Sequence, residues 1–182
     1  MRPPLQIEVE GQLRFTFERP AWDAVKWDDD PSYRRGIRQA DGKAVDIIAT
    51  LERRSVCLFE IKDPRGHTVE YRDRVSNEEL AQIVADKVRD TIAGLVYTRD
   101  RHPCAHLLVH LRTLFVGRTE RVVVVLWLES PNLDPPRATT LAGRIEHKLR
   151  WLKPSVIVTS RALWPGMPGL TIESMDGAPW RG

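Results

Sequence analysis

The sequence predicts an α/β fold: a mixed central β-sheet flanked by helices, preceded by an N-terminal β-hairpin. Three observations lead there. Strand-like apolar runs occupy 5–18, 44–62, 122–128 and 156–159. Amphipathic helical spacing over 78–97 and 141–152 separates the later runs. Late strands that alternate with helices favour parallel pairing, and short early connections favour antiparallel pairing.

The length, 182 residues, is that of one ordinary domain. The reading is a single domain over 1–182, with a hairpin at 5–18, a core over 44–160 and a Pro/Gly-rich tail over 163–182. With 42% hydrophobic and 29% charged residues the composition is globular. No apolar run approaches the ~20 residues of a membrane-spanning helix, so no membrane partner is expected. The N-terminal residues, Met1 to Gln6, lack the apolar stretch of a secretory signal, and Cys57 and Cys104 cannot build a disulfide framework. A cytoplasmic protein is expected. The net charge of +3 is mild, so any nucleic-acid surface must come from local clustering.

The elements follow in order. Ile7, Val9, Leu13, Phe15 and Phe17 alternate with polar residues around Gly11, as in a hairpin. Residues 20–43 are less regular and predict a short helix and a loop. Two β-branched or aromatic runs, 44–51 and 55–62, are joined by Glu52-Arg53-Arg54. Ser76 with Glu79 three residues later is a capping box for a helix over 78–97. Residues 104–116 fit helix or strand. Val122 to Leu128 is continuously apolar, as in a strand buried on both faces. Leu141, Ile145, Leu149 and Leu152 mark another helix, ended by Pro154, and Val156 to Thr159 a buried strand. Of the six tryptophans, Trp127 in the valine run is placed in the core.

The chemistry concentrates in 43–66. Asp46 interrupts one apolar strand, and Glu60 and Lys62 interrupt the next. Charges inside buried strands are costly unless paired or metal-bound. A hairpin centred on Arg53 sets Asp46 directly opposite Glu60, with Cβ atoms roughly 4.5–5.5 Å apart. Lys62 then shares the face of Glu60, while Phe59 and Ile61 point the other way. Two adjacent carboxylates repel unless one is protonated or a cation lies between them. Such an oxygen-rich site suits Mg²⁺ or Mn²⁺. A solvated strand pair with a cross-strand Lys–carboxylate contact gives the same spacing, but the apolar neighbours on both faces argue against it.

Asp46, thirteen intervening residues, then Glu60-Ile61-Lys62 resembles the signature of the PD-(D/E)XK, or restriction-endonuclease-like, nuclease superfamily. The helix and further strand after the Glu-x-Lys strand are similar to that family's core. The resemblance implies a restriction-endonuclease-like fold and a metal-dependent phosphodiesterase. It implies Asp46 and Glu60 as metal ligands, the Ile61 backbone carbonyl as a third, and Lys62 as the catalytic lysine. It implies nucleic acid, DNA in the first instance, as substrate. With no separate recognition domain, a homodimer or a protein partner would supply target recognition. A non-catalytic nucleic-acid- or protein-binding module that keeps the fold is the alternative. Two departures stand out. Val45 holds the position of the family's usual proline, and the upstream acidic residue could be Asp23, Asp28, Asp29 or Asp30.

Further cations surround the centre. Lys87 lies within about 20° of Leu80 on the helical wheel, on the face that packs on the sheet. Its stem packs while its ammonium either snorkels to solvent or points at the carboxylates and a phosphate. Asp90 sits at the edge of that arc, and Gln82 is farther round. Arg65, His67, Arg72 and Arg74 follow the Glu-x-Lys strand and are candidate phosphate contacts, as is the cluster Arg34, Arg35 and Arg38. Both also fit solvated charged loops. Tyr33 and Tyr71 are candidates for base stacking. His102, Cys104, His106 and His110 invite a zinc reading, against which stands the lack of a second nearby cysteine.

Overall fold

The computed structural model describes residues 3–9, 13–36, 42–63, 76–101, 105–115 and 121–175. It is a mixed α/β structure of three layers. The middle layer is a five-stranded sheet, β3-β4-β5-β6-β7 in spatial order. Its strands are β3 (Trp22–Lys26), β4 (Ile47–Leu51), β5 (Ser55–Lys62), β6 (Arg121–Leu128) and β7 (Ser155–Thr159). β3, β4 and β5 form an antiparallel meander. β5, β6 and β7 run parallel. The change from antiparallel to parallel follows connection length. A turn of three residues joins β4 to β5, whereas parallel neighbours need a crossover of a dozen residues or more, usually helical. Helices α2 (Asn77–Arg101) and α3 (Ala105–Phe115) lie between β5 and β6, and α4 (Pro135–Lys148) lies between β6 and β7.

Strand alternation assigns the two faces. Ile48, Val56, Leu58, Val124, Leu126 and Val158 pack with Leu80, Val84, Val88, Leu141 and Ile145 of the helices. Ile47, Ala49, Phe59, Ile61, Val123, Val125 and Trp127 face the other way. There they meet a second, antiparallel sheet of β1 (Leu5–Val9), β2 (Leu13–Phe17) and β8 (Leu170–Ser174), with β2 in the middle. Phe15 packs edge-on against Phe59 and Trp127, with ring centroids 6.1 and 6.0 Å apart. Covering both faces explains why β6 reads as an unbroken apolar run.

The expected hairpin, capping box and late strands are all present. Ser76 and Glu79 exchange both bonds of the capping box, with the Ser76 amide donating at 2.8 Å and the Glu79 amide at 3.2 Å. The undecided segment 104–116 is helical over Ala105–Phe115. α4 begins six residues earlier than its hydrophobic repeat. Asp134 caps it by accepting the Arg137 amide at 2.8 Å, and prolines fill its first positions.

Two strands escaped the sequence reading. The irregular stretch 20–43 does contain a short helix, α1 (Pro31–Gly36), but also β3. The stretch read as a surface tail contains β8, which pairs with β2 from Leu13↔Ser174 to Phe17↔Leu170. Gly169 makes that return possible. Its φ is 70°, and an added Cβ would stand 3.2 Å from the Trp22 ring. The Trp22 indole donates to the Pro168 carbonyl at 2.7 Å, and the Glu18 amide donates to the Gly169 carbonyl at 2.8 Å.

Phe15 is fully buried and joins the two sheets. Phe15→Ala is expected to cost about 3–5 kcal/mol, read as a fall in the urea midpoint at unchanged slope.

Candidate active site

The β4–β5 register is the one the hairpin arithmetic requires, with Ile47 opposite Phe59 and Leu51 opposite Ser55. Asp46 stands one residue before β4 rather than within it, and its amide donates to the Phe59 carbonyl at 2.9 Å. Asp46 Oδ2 accepts the Ile61 amide at 2.6 Å, which a continued ladder would give to the Val45 carbonyl. A carboxylate therefore ends the β4–β5 ladder. The chain leading to it is fastened to α2. The Val45 amide donates to Thr91 Oγ1 at 3.0 Å, and the Lys43 amide donates to Asp90 at 2.9 Å. Asp90 thus has a backbone partner rather than a cationic side chain in that bond.

Glu60 is completely buried on the helix side of the sheet. Lys87 reaches it from α2, with Nζ 2.7 and 2.8 Å from its two carboxylate oxygens. Lys62, two residues along β5, places its own Nζ 2.9 Å from Oε1. The ammonium of Lys87 is therefore directed at the carboxylates, not snorkelled into water. Its side chain is 17% exposed, against 34% for Lys62. The buried Glu60 carboxylate is thus met by two ammonium groups, and such pairing is the condition for keeping its charge in an apolar layer. Burial, then the charge of Glu60, push the Asp46 carboxyl up to about 7, against the pull of Lys87, the Ile61 amide and Lys62.

Of the four upstream acids, Asp28 lies in the electrostatic reach of the centre. Its carboxyl is raised by burial and drawn back by Lys26 and, more weakly, Lys87. Its Oδ1 is buried without a hydrogen-bond partner. Asp29 pairs with Lys26 at 2.8 Å and with Arg34. Asp23 lies on β3 opposite Thr50, and Asp30 is buried just before α1. Among the described residues, no three His, Cys, Asp or Glu side chains gather closely enough to hold a metal. The donor set here is Asp46 and Glu60, two hard oxygen ligands. Mg²⁺ commonly binds through one or two carboxylates and keeps its other positions for water and phosphate, so the set fits such an ion.

The remaining candidates have separate outcomes. Tyr33 is buried against Trp27, and its hydroxyl donates to the Gly42 carbonyl at 3.0 Å, so it does not stack on bases. Gln82 is exposed and donates to Asp86. Arg65, His67, Arg72, Arg74, Tyr71, Arg38, His102 and Cys104 lie outside the described residues, as do the side chains of Arg35 and His106. His110 is fully buried on α3. One structural acid was missed. Glu129, just past β6, accepts the Trp127 indole at 2.7 Å and the Arg161 amide at 3.3 Å. Its own amide donates to the Lys62 carbonyl at 2.9 Å, which fixes the end of β5. The available signal was a carboxylate directly after an apolar strand.

Two outcomes test this geometry. Folded Asp46 holds a proton near neutrality that the unfolded chain, at about 3.8, releases. Its contribution to stability is full below about pH 4 and is lost as pH rises through 7. Asp46→Asn should therefore remove a fall of about 2–3 kcal/mol between pH 5 and 7, measured by urea unfolding at each pH. Lys87→Met should cost about 3 kcal/mol in the same measurement, because Glu60 stays buried with one ammonium partner. Comparison with family models, curated proteins and solved structures finds no match to this chain.

Proposed function

We propose that the protein is a metal-dependent nuclease of the PD-(D/E)XK type that hydrolyses phosphodiester bonds, with DNA as the first substrate to examine. The observation that carries this reading is the convergence of Asp46, Glu60 and Lys62 at the end of β5. Asp46 and Glu60, with the Ile61 carbonyl, would hold Mg²⁺ or Mn²⁺. When bound, such an ion lowers the pKa of its water and neutralises charge on a phosphoryl oxygen.

The chain's own groups do the rest. The Ile61 amide orients Asp46 through a 2.6 Å bond. Lys62 is the more exposed of the two lysines, so its ammonium is the one within reach of a phosphate from solvent. There it stabilises the charge that develops as water oxygen bonds to phosphorus and the ester bond to the leaving oxygen breaks. The proton lost by water ends on that leaving oxygen. Asp28 supplies a further carboxylate near Lys87, suited to holding outer-shell water.

A second reading rests on one specific contact. Lys87 donates to both Glu60 oxygens, which places an ammonium where a metal would have to bind. A nuclease-like fold that uses this internal cation instead of a metal would be a binding module without catalysis.

The discriminating experiment is a cleavage assay on linear, circular and single-stranded DNA and on RNA, in Mg²⁺, Mn²⁺ or chelator. Lys62→Ala is purified in parallel and its melting temperature checked. Metal-dependent cutting that Lys62→Ala loses by a hundredfold or more is the expected outcome. No cutting, together with no heat of Mn²⁺ binding by calorimetry, would establish the binding module instead.

A further inference from the structure

The end of the central sheet opposite the carboxylates carries a second cluster of charged side chains. Ser55 pairs with Arg121, and Val123 with Ser155. The β4–β5 turn, the start of β6 and the turn before β7 therefore lie side by side on one edge, each strand ~4.8 Å from the next. Glu60 is five residues up β5, so this edge is about 17 Å from the carboxylate centre.

Cations crowd the edge. Arg53, Arg54, Arg121, Arg150 and Lys153 are all exposed there. Among them stands Trp151, 55% exposed, whereas Trp22, Trp27 and Trp127 are buried to 1% or less. Trp151 is not loose. Leu149 beside it is buried, Leu152 packs on the helix-side core, and the Leu152 amide donates to the Leu149 carbonyl at 2.8 Å. A turn anchored on both sides holds a large aromatic ring out in water.

The backbone points the same way. Among the described residues, the non-glycine residues with positive φ are Glu52 at 51°, Arg53 at 58° and Lys153 at 50°. All three belong to this edge. Glycine or asparagine would relieve a cost of about 1 kcal/mol at each. Two of the three positions carry long cations instead.

We propose that this edge binds a single polynucleotide strand, with the five cations on its phosphates and Trp151 stacked on an unpaired base. The inference rests on the nuclease reading for the class of partner, but not on catalysis. Phosphate contacts give affinity without sequence preference, and an exposed tryptophan adds stacking that every base can supply. An edge remote from the carboxylates would keep hold of a strand while other parts of it pass the centre.

The test is fluorescence anisotropy with a labelled 20-nucleotide single strand and its duplex, in chelator, over a salt series. Three proteins are compared: the unmodified chain, Arg53→Asn/Arg121→Gln/Lys153→Asn, and Trp151→Ala. Asparagine tolerates the left-handed backbone, so the triple variant should melt no lower than the parent. The expected result is single-strand binding weakened at least tenfold in the triple variant, with its salt slope reduced by about two units. Trp151→Ala should weaken single-strand binding by about fivefold or more and leave duplex binding nearly unchanged. Parental affinity in both variants, no binding by the parent at low salt, or loss confined to anionic phosphatidylserine vesicles would each overturn the proposal. Edge-dependent binding without any cleavage would sustain it while the nuclease reading fails. Cleavage with edge-independent binding would do the reverse.

Discussion

A sheet with two apolar faces must be covered on both, and that constraint organises the whole molecule. β5 and β6 are buried along nearly their full length. One face takes α2 and α4, which an amphipathic helix can supply locally between two strands. The other face takes a broad flat cover instead. The cover is a three-stranded sheet drawn from both ends of the sequence. The aromatic contacts Phe15–Phe59, Phe15–Trp127 and Phe17–Phe59 are the material of that second interface.

Within so dry an environment a lone carboxylate would be prohibitively costly. Here the Glu60 carboxylate is tolerated because two ammonium groups meet it, and the four side chains of the cluster come from three different parts of the chain. β5 gives Glu60 and Lys62, α2 gives Lys87, and the segment before β4 gives Asp46. Their arrangement ties helix to sheet. Substitution of Glu60 therefore disturbs the seam between α2 and β5, whereas Lys62 stands at its rim.

What the sequence disclosed was local and periodic. Alternation along 44–62 gave the register that sets Ile47 opposite Phe59, and the helical wheel put Lys87 on the sheet-facing side of α2. Neither needed knowledge of distant partners. β3 stayed hidden because Asp23 and Lys26 dilute its alternation, and its strand character comes from pairing with β4. β8 stayed hidden because its partner, β2, lies at the far end of the chain. Glu129 carried no periodic signal, because it follows the apolar run and its partners, the Trp127 indole and the Arg161 amide, are set by tertiary structure. The direction of the Lys87 ammonium was undecidable on the wheel, which gives an angle but not the burial of the group it meets.

The pairing of β2 with β8 has a kinetic side. Phe17 and Leu170 come together only after nearly the whole chain between them has been made, so the small sheet closes a very long loop. The central sheet and its helices can assemble from nearer neighbours first. Until β8 arrives, the β1–β2 hairpin lacks the third strand that a small sheet needs to stand alone, and it lies over an aromatic surface not yet sealed. Docking of β8 is the long-range step that shuts this hydrophobic face. Delay at that step leaves Phe15, Phe17 and Phe59 open to self-association, the hazard common to topologies of high contact order.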